Sequence, residues 1–214
     1  RFMKNKKIAK LILKDGSTYE GVSFGAHKSA MGEVVFATGM VGYPEALTDP
    51  SFCGQILVLT YPLVGSYGVP DDSLWESKKI QVAGLVVCGY IDTPSHHESK
   101  ISLGEWLKKM RVPALEIEDT RGLTLKLRER GVMLGKIALS SGDSKNLKLS
   151  DPNLRNLVAE VSTKKVLSFG EGKKIIGVLD CGVKQNIIRR FVDRGYKVMV
   201  FPWDTDLTKL KINL

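Results

Sequence analysis

The chain has 214 residues, 43% apolar and 26% charged, with a formal net charge of +9. This is ordinary globular composition, long enough for one large domain or two small ones, and it argues against disorder. No apolar run approaches the roughly 20 residues needed to cross a bilayer, and the cations alternate with acids, as in KLRERG, so neither a membrane nor a nucleic acid is expected as a partner.

In chain order, KIAKLILKDGSTYEGVSFG reads as a hairpin. Leu11 and Leu13 alternate with Lys10, Ile12 and Lys14, and Asp15-Gly16 is a strong short turn signal. EVVFATG, QILVLTY and VAGLVVCGYI are apolar and β-branched, which suits buried strands. Ser102-x-x-Glu105 is a capping box, with Leu103, Trp106, Leu107 and Met110 at helical spacing behind it. A second helix is expected from Asp119-Thr120 to Gly131, a natural C-terminal cap, and GVMLGKIAL reads as a strand. SSGDSKNLKLS (140–150) is a polar loop or linker. Asp151-Pro152 then supplies an N-cap and a first-turn proline for a short helix carrying Leu154, Leu157, Val158 and Val161. STKKVLSFGEGK reads as irregular.

From Lys173 the pattern changes. KKIIGVLDCG, VKQNIIRRFVDRG and YKVMVFPWD read as strand, helix and strand, the opening βαβ unit of a parallel sheet. Such strands bury both faces, and two strands with one helix cannot cover each other. With the chain stopping at Leu214, this second domain reads as only begun. Its bare edges imply mobility, or cover from residues 1–140 or from another chain. The fold class is therefore α/β. A β-rich domain with flanking helices in β/β/α layers spans 1–140, a linker with a short helix 141–172, and the start of a parallel-sheet domain 173–214.

Several residues invite a chemical reading. Cys53, Cys88 and Cys181 are odd in number and widely spaced, so they imply no disulfide framework or metal cluster, and a reducing compartment fits. RFMKNKKIAKLIL lacks the apolar core and cleavage site of a signal peptide, so a cytoplasmic location is expected. Cys53 has no histidine at a diagnostic spacing, and an inert thiol is the simpler reading. Cys181 sits between strand and helix, but DCGVKQN is not the glycine-bracketed elbow of an exposed nucleophile. Adjacent His96 and His97 lack further ligands at metal spacing, and GVLDCGV is no dinucleotide fingerprint. In Thr48-Asp49-Pro50-Ser51, Asp accepts backbone hydrogen bonds and Pro fixes a dihedral. Ser51 is left at a loop apex, able to donate and to accept. Taken alone, a turn-stabilising hydroxyl is the simpler reading of Ser51 than a ligand contact.

GEVVFATGMVGYPEALTDPSF, QILVLTYPLVGSYGVP, EDTRGLTLKLRERGVMLGKI and GVLDCGVKQNIIRRFVDRGYKVMVFPWD change that balance. Together they resemble the amino-terminal part of the small subunit of glutamine-dependent carbamoyl-phosphate synthetase, and the same region of fused pyrimidine-pathway enzymes. The likeness runs in order from about Ala9 to Asp206. It implies a β-rich domain followed by the first βαβ unit of a class I glutamine amidotransferase domain. It further implies a glutaminase that passes ammonia to a synthetase, which makes carbamoyl phosphate from bicarbonate for pyrimidine or arginine synthesis. ATP and magnesium belong to that synthetase portion, and no cofactor is implied for this chain. The implied partners are glutamine and a synthetase large subunit or fused synthetase domain. The family's TDPS serine contacts bound glutamine, a role that falls on Ser51, with Cys53 a bystander. The family's G-x-C-x-G elbow, its triad His and Glu and its glycine-rich oxyanion loop do not occur in these 214 residues. The resemblance therefore assigns no catalytic residue here, and the chain alone is expected not to hydrolyse glutamine. The alternative is a non-catalytic interaction module of an ammonia-dependent synthetase. A standalone nucleotide-binding protein is a weaker third reading.

Overall fold

The computed structural model describes residues 7–139 and 148–210. Strands β1 (Lys7–Leu13) and β2 (Thr18–Ser23) form the antiparallel hairpin. Ala9, Leu11 and Leu13 turn inward, while Lys10 pairs with Glu20 directly across the ladder, Nζ to Oε2 2.9 Å. In the turn Gly16 takes φ +88 and the Ser17 N–H donates to Asp15 Oδ1 at 2.9 Å. Hydrogen bonds from the Ser17 backbone and side chain, then Lys126, hold the Asp15 carboxyl below its ordinary pKa.

The hairpin is joined by β3 (Ala30–Ala37), β4 (Gln55–Leu59), β5 (Gly84–Val87), β6 (Ala114–Ile117) and β7 (Met133–Ala138). All seven close into a barrel in the order β1-β2-β6-β5-β4-β3-β7. Strands β3 to β6 run parallel, and the remaining pairings are antiparallel. This corrects the expected β/β/α layers. Because β7 pairs with both β3 and β1, the sheet curls onto itself instead of stacking on a second one, and closure leaves no open edge.

Three helices dress the barrel: α1 (Tyr43–Thr48), α2 (Leu103–Lys109) and α3 (Thr120–Arg130). The Ser102–Glu105 capping box starts α2 as read from the sequence. Asp119 caps α3, and Gly131 follows its last turn at φ +79. The alternating pleat of β4 sorts its side chains to two cores. Ile56 and Val58 join Leu11, Val34, Val86 and Leu115 inside the barrel, where Leu123 and Leu127 of α3 also pack. Leu57 and Leu59 point outward against Leu47 of α1 and Trp106 and Leu107 of α2. Burial on both faces is why β4 and β5 read as unbroken apolar runs.

The later residues form α4 (Leu157–Val161), β8 (Leu167–Phe169), β9 (Lys174–Asp180), α5 (Gln185–Val192) and β10 (Tyr196–Pro202). Strands β9 and β10 are parallel and joined through α5, so the strand–helix–strand reading of this segment is realised. Two local expectations are corrected. The helix expected from Asp151 is split, since Asp151 caps only a 3-10 turn, Pro152–Leu154, before Arg155 goes extended. Asn156 then restarts the chain by accepting the Ala159 N–H at 3.0 Å. The stretch read as irregular contains β8, which adds antiparallel to β10. Most of the polar stretch expected as a linker, residues 140–147, lies outside the described residues.

Ile188 of α5 packs on Val198 and Val200 of β10. Burial of β9 alternates instead of being continuous, and Leu179 remains 38% exposed. One helix covers one face, which is the physical reason the two-sided burial expected of a parallel strand is missing.

The barrel generates a test at its tightest backbone approach. A Cβ on Gly21 of β2 would lie 2.0 Å from the Glu116 carbonyl oxygen, a rigid neighbour, whereas a Cβ on Gly16 would meet nothing within 4 Å. Gly21→Ala is expected to destabilise by about 2 kcal/mol or more through overpacking. Gly16→Ala should cost about 1 kcal/mol from its left-handed backbone alone. Urea denaturation of the two variants measures the difference, and equal losses would contradict the β2–β6 packing.

Candidate functional site

Strands β3 and β4 are parallel neighbours, so the chain between them must cross back along the barrel. Residues 38–54 make that crossover, which is why GYPEALTDPSF connects two strands without forming a hairpin. Helix α1 begins at Gly42, φ +84, with no cap from its own side chain. The Tyr67 hydroxyl takes over, accepting the Gly42 and Tyr43 N–H groups at 2.9 and 3.1 Å, and the two tyrosine rings stack at 4.3 Å. Burial pushes the Tyr43 hydroxyl pKa upward, so it stays a donor, to the Gly68 carbonyl. At the other end the Thr48 hydroxyl donates to the Pro44 carbonyl at 2.8 Å and accepts the Glu76 N–H at 2.9 Å.

Asp49 follows in extended conformation, and Pro50–Phe52 form a 3-10 turn. Asp49 Oδ1 accepts the Ser51 N–H at 2.9 Å, the local bond that TDPS chemistry implies. Ser51 itself is exposed, and its hydroxyl makes no hydrogen bond to any described residue. The backbone of this loop is therefore fixed while the side chain at its apex keeps both donor and acceptor free.

The loop lies against the second sheet. Strand β9 ends at Asp180, which is buried. Its Oδ1 accepts the Gly182 and Val183 N–H groups, both at 3.0 Å, and its Oδ2 the Thr163 N–H at 2.7 Å. A Cβ on Gly182, φ +99, would come within 3.2 Å of Pro50 Cβ, so the TDPS turn and the βα turn are in direct contact. Lys184, at the N-cap of α5, places Nζ 2.7 Å from Asp49 Oδ2, a carboxylate only 8% exposed. Beside this joint is a cleft of about 510 Å³ whose walls include Pro50, Gln81, Ser162, Asp180, Val183 and Gln185. The carboxyl end of a parallel strand is where α/β folds bind ligands, and the turn that carries Ser51 is brought against it, through Pro50, by a different part of the chain.

Of the other sequence candidates, none joins this arrangement as a nucleophile. Cys53 is half-buried with Sγ 4.0 Å from Glu160 Oε2. Burial, then the Glu160 charge, raises its pKa, which suppresses the thiolate. Cys181 is exposed on the βα turn, and among the described residues no histidine hydrogen-bonds to either thiol. His96 and His97 stack on each other with ring centroids 4.5 Å apart. The described residues contain no cluster of three or more His, Cys, Asp or Glu able to hold a metal ion. The arrangement presents polar groups chemically able to hold a polar ligand.

Sequence reasoning missed Glu76, Lys184 and Arg189. Glu76 lies in an unremarkable polar stretch, and its partners on α5 are over 100 residues away in sequence. One signal was available: in VKQNII the position before the helix is Lys184, which cannot accept a backbone N–H as Ser, Thr, Asp or Asn would, so a cap for α5 had to come from elsewhere.

A closed barrel joined to a parallel strand–helix–strand unit, with a serine-tipped crossover lodged against that unit, defines a mixed α/β protein. Comparison with known proteins makes the class specific. Residues 11–137 match the carbamoyl-phosphate synthase small chain, CPSase domain, and the chain belongs to that family. It is 52% identical over 207 residues to the multifunctional protein CAD of Squalus acanthias, covering 92% of this chain and 9% of that protein. It is 44% identical to the multifunctional protein URA2 of Saccharomyces cerevisiae, covering 95% of this chain and 11% of that one. It is 45% identical to the mitochondrial carbamoyl-phosphate synthase [ammonia] of Mus musculus, at 96% and 14% coverage. The chain thus spans about a tenth of the length of these relatives.

Iodoacetamide labelling at pH 8 separates the thiols. Cys181 is expected to react about tenfold faster than Cys53, whose thiolate is suppressed by burial. Equal rates, followed by peptide mass spectrometry, would contradict the placement of Cys53.

Proposed function

We propose that this chain is part of the glutaminase component of a carbamoyl-phosphate synthase, and that Ser51 holds the substrate glutamine. The observation that carries this reading is the free Ser51 hydroxyl, presented on a rigid turn beside the carboxyl end of β9. Glutamine offers an ammonium, a carboxylate and an amide, and a hydroxyl can donate to or accept from any of them.

In this reading residues 1–140 are the small-chain amino-terminal domain. Residues 141–172 link it to the beginning of a class I glutamine amidotransferase domain at 173–214. The barrel completes the glutamine pocket from one side and docks the glutaminase onto a synthetase portion, covalently fused as the multifunctional relatives suggest, or separate. That portion uses bicarbonate, ATP and magnesium, in pyrimidine or arginine synthesis. The nucleophile, base and oxyanion donors come from amidotransferase residues outside these 214, so the chain alone releases no ammonia from glutamine.

A second reading is favoured by one observation, the 45% identity to relatives named carbamoyl-phosphate synthase [ammonia]. There the chain serves as a docking module beside a silent glutaminase. The experiment compares carbamoyl phosphate formation from glutamine and from ammonia by the complete enzyme, with and without Ser51→Ala. On the first reading the substitution raises the KM for glutamine roughly three- to tenfold, the worth of one hydrogen bond, while ammonia-driven synthesis keeps its rate. An unchanged KM removes Ser51 from the pocket. Activity with ammonia but none with glutamine in the unaltered enzyme selects the second reading.

A further inference from the structure

Helix α5 starts without a cap of its own. Lys184 stands at the N-cap, its side chain caps nothing, and no acidic residue occupies the first turn. The first N–H groups of a helix need acceptors, and here the barrel supplies them. The Glu76 carbonyl accepts the Gln185 N–H at 3.0 Å, and the Glu76 carboxylate Oε2 accepts the Asn186 N–H at 2.9 Å. One turn further along, Arg189 Nη2 lies 3.9 Å from the same oxygen, and its Nη1 donates to the Trp75 carbonyl at 3.0 Å.

Glu76 is also fastened to the Ser51 loop. Its N–H donates to the Thr48 hydroxyl, and the next residue, Ser77, donates its hydroxyl to the Thr48 carbonyl at 2.6 Å. Thr48 is fully buried and directly precedes Asp49. Glu76 is itself buried, so its carboxylate depends on these partners in place of water. The residue thus touches the stem of the serine loop with its backbone and the first turn of α5 with its carbonyl and side chain.

We infer that Glu76 is a positioning residue: it caps α5 from the neighbouring domain and thereby sets the distance between the Ser51 hydroxyl and the βα turn after β9. The consequence for glutamine rests on the proposed role of Ser51, whereas the clamp itself does not. A helix that draws its cap from another domain loses that cap when the domains part. The serine loop and the βα turn therefore come into register only while the two domains are docked.

The test has two arms. In the 214-residue chain, hydrogen–deuterium exchange is followed for residues 48–53 and 184–187 in Glu76→Ala and Glu76→Gln. The alanine variant is expected to speed exchange in both segments by about tenfold, the effect of losing a charge-assisted acceptor. The glutamine variant keeps an acceptor for Asn186 and should restore most of the protection. In the complete enzyme, Glu76→Ala should raise the KM for glutamine without lowering ammonia-driven synthesis, with Glu76→Gln near the unaltered value. A global loss of stability would instead depress both activities together. If exchange in the two segments is unchanged in Glu76→Ala, or if Glu76→Gln behaves as badly as alanine, the clamp is refuted. If Ser51→Ala raises the KM but Glu76→Ala does not, the positioning role is refuted. If Ser51→Ala itself has no effect, the glutamine reading fails, and the exchange arm alone decides the clamp.

Discussion

A single nearly buried carboxylate, Asp49, serves two parts of the chain at once. One oxygen holds the backbone of Ser51, and the other meets Lys184 at the start of α5. A carboxylate withdrawn from water is costly unless both oxygens are satisfied. Here the satisfaction comes half from its own turn and half from a residue 135 positions later. The loop geometry and the docking of the second sheet are therefore one arrangement. Gly182 completes it, since its φ of +99 favours glycine and a Cβ there would press to within 3.2 Å of Pro50.

The charge distribution acquires a reason in this light. More than half of the excess positive charge lies in residues 141–214. Two of those cations, Lys184 and Arg189, face carboxylates of the barrel, Asp49 and Glu76. Complementary charge across a joint favours one orientation over others more than it adds raw affinity. Part of the positive charge in this segment is thus engaged inside the protein.

The barrel supplies the rigidity on which this depends. Strands β4 and β5 are buried on both faces, between the interior core and the helices α1 and α2. The crossover that carries Ser51 is anchored at both ends to β3 and β4, and Tyr67 and Thr48 tie down the two ends of its helix. A side chain that must meet a ligand at hydrogen-bond distance gains from such support. The second sheet is built differently, with one face covered by α5, and among the described residues Leu179 of β9 and Ile187 of α5 are left exposed.

Local chemistry was legible from residue order alone. The Asp15-Gly16 turn, the Ser102–Glu105 box, the Gly131 stop, the βα turn after Asp180 and the Asp49–Ser51 turn all involve partners within a few residues, where spacing dictates geometry. Family membership was legible too, because long ordered motifs survive in the chain. Barrel closure was not, since strand pairing joins β7 to β1 across more than 120 residues and no local period encodes it. The strand β8 likewise followed from a neighbour, β10, distant in sequence. The joint around Ser51 was decided only in three dimensions. Asp49, Glu76, Lys184 and Arg189 bear charges that could all have faced solvent, and only docking removes water from between them and turns ordinary surface residues into a frame for one hydroxyl.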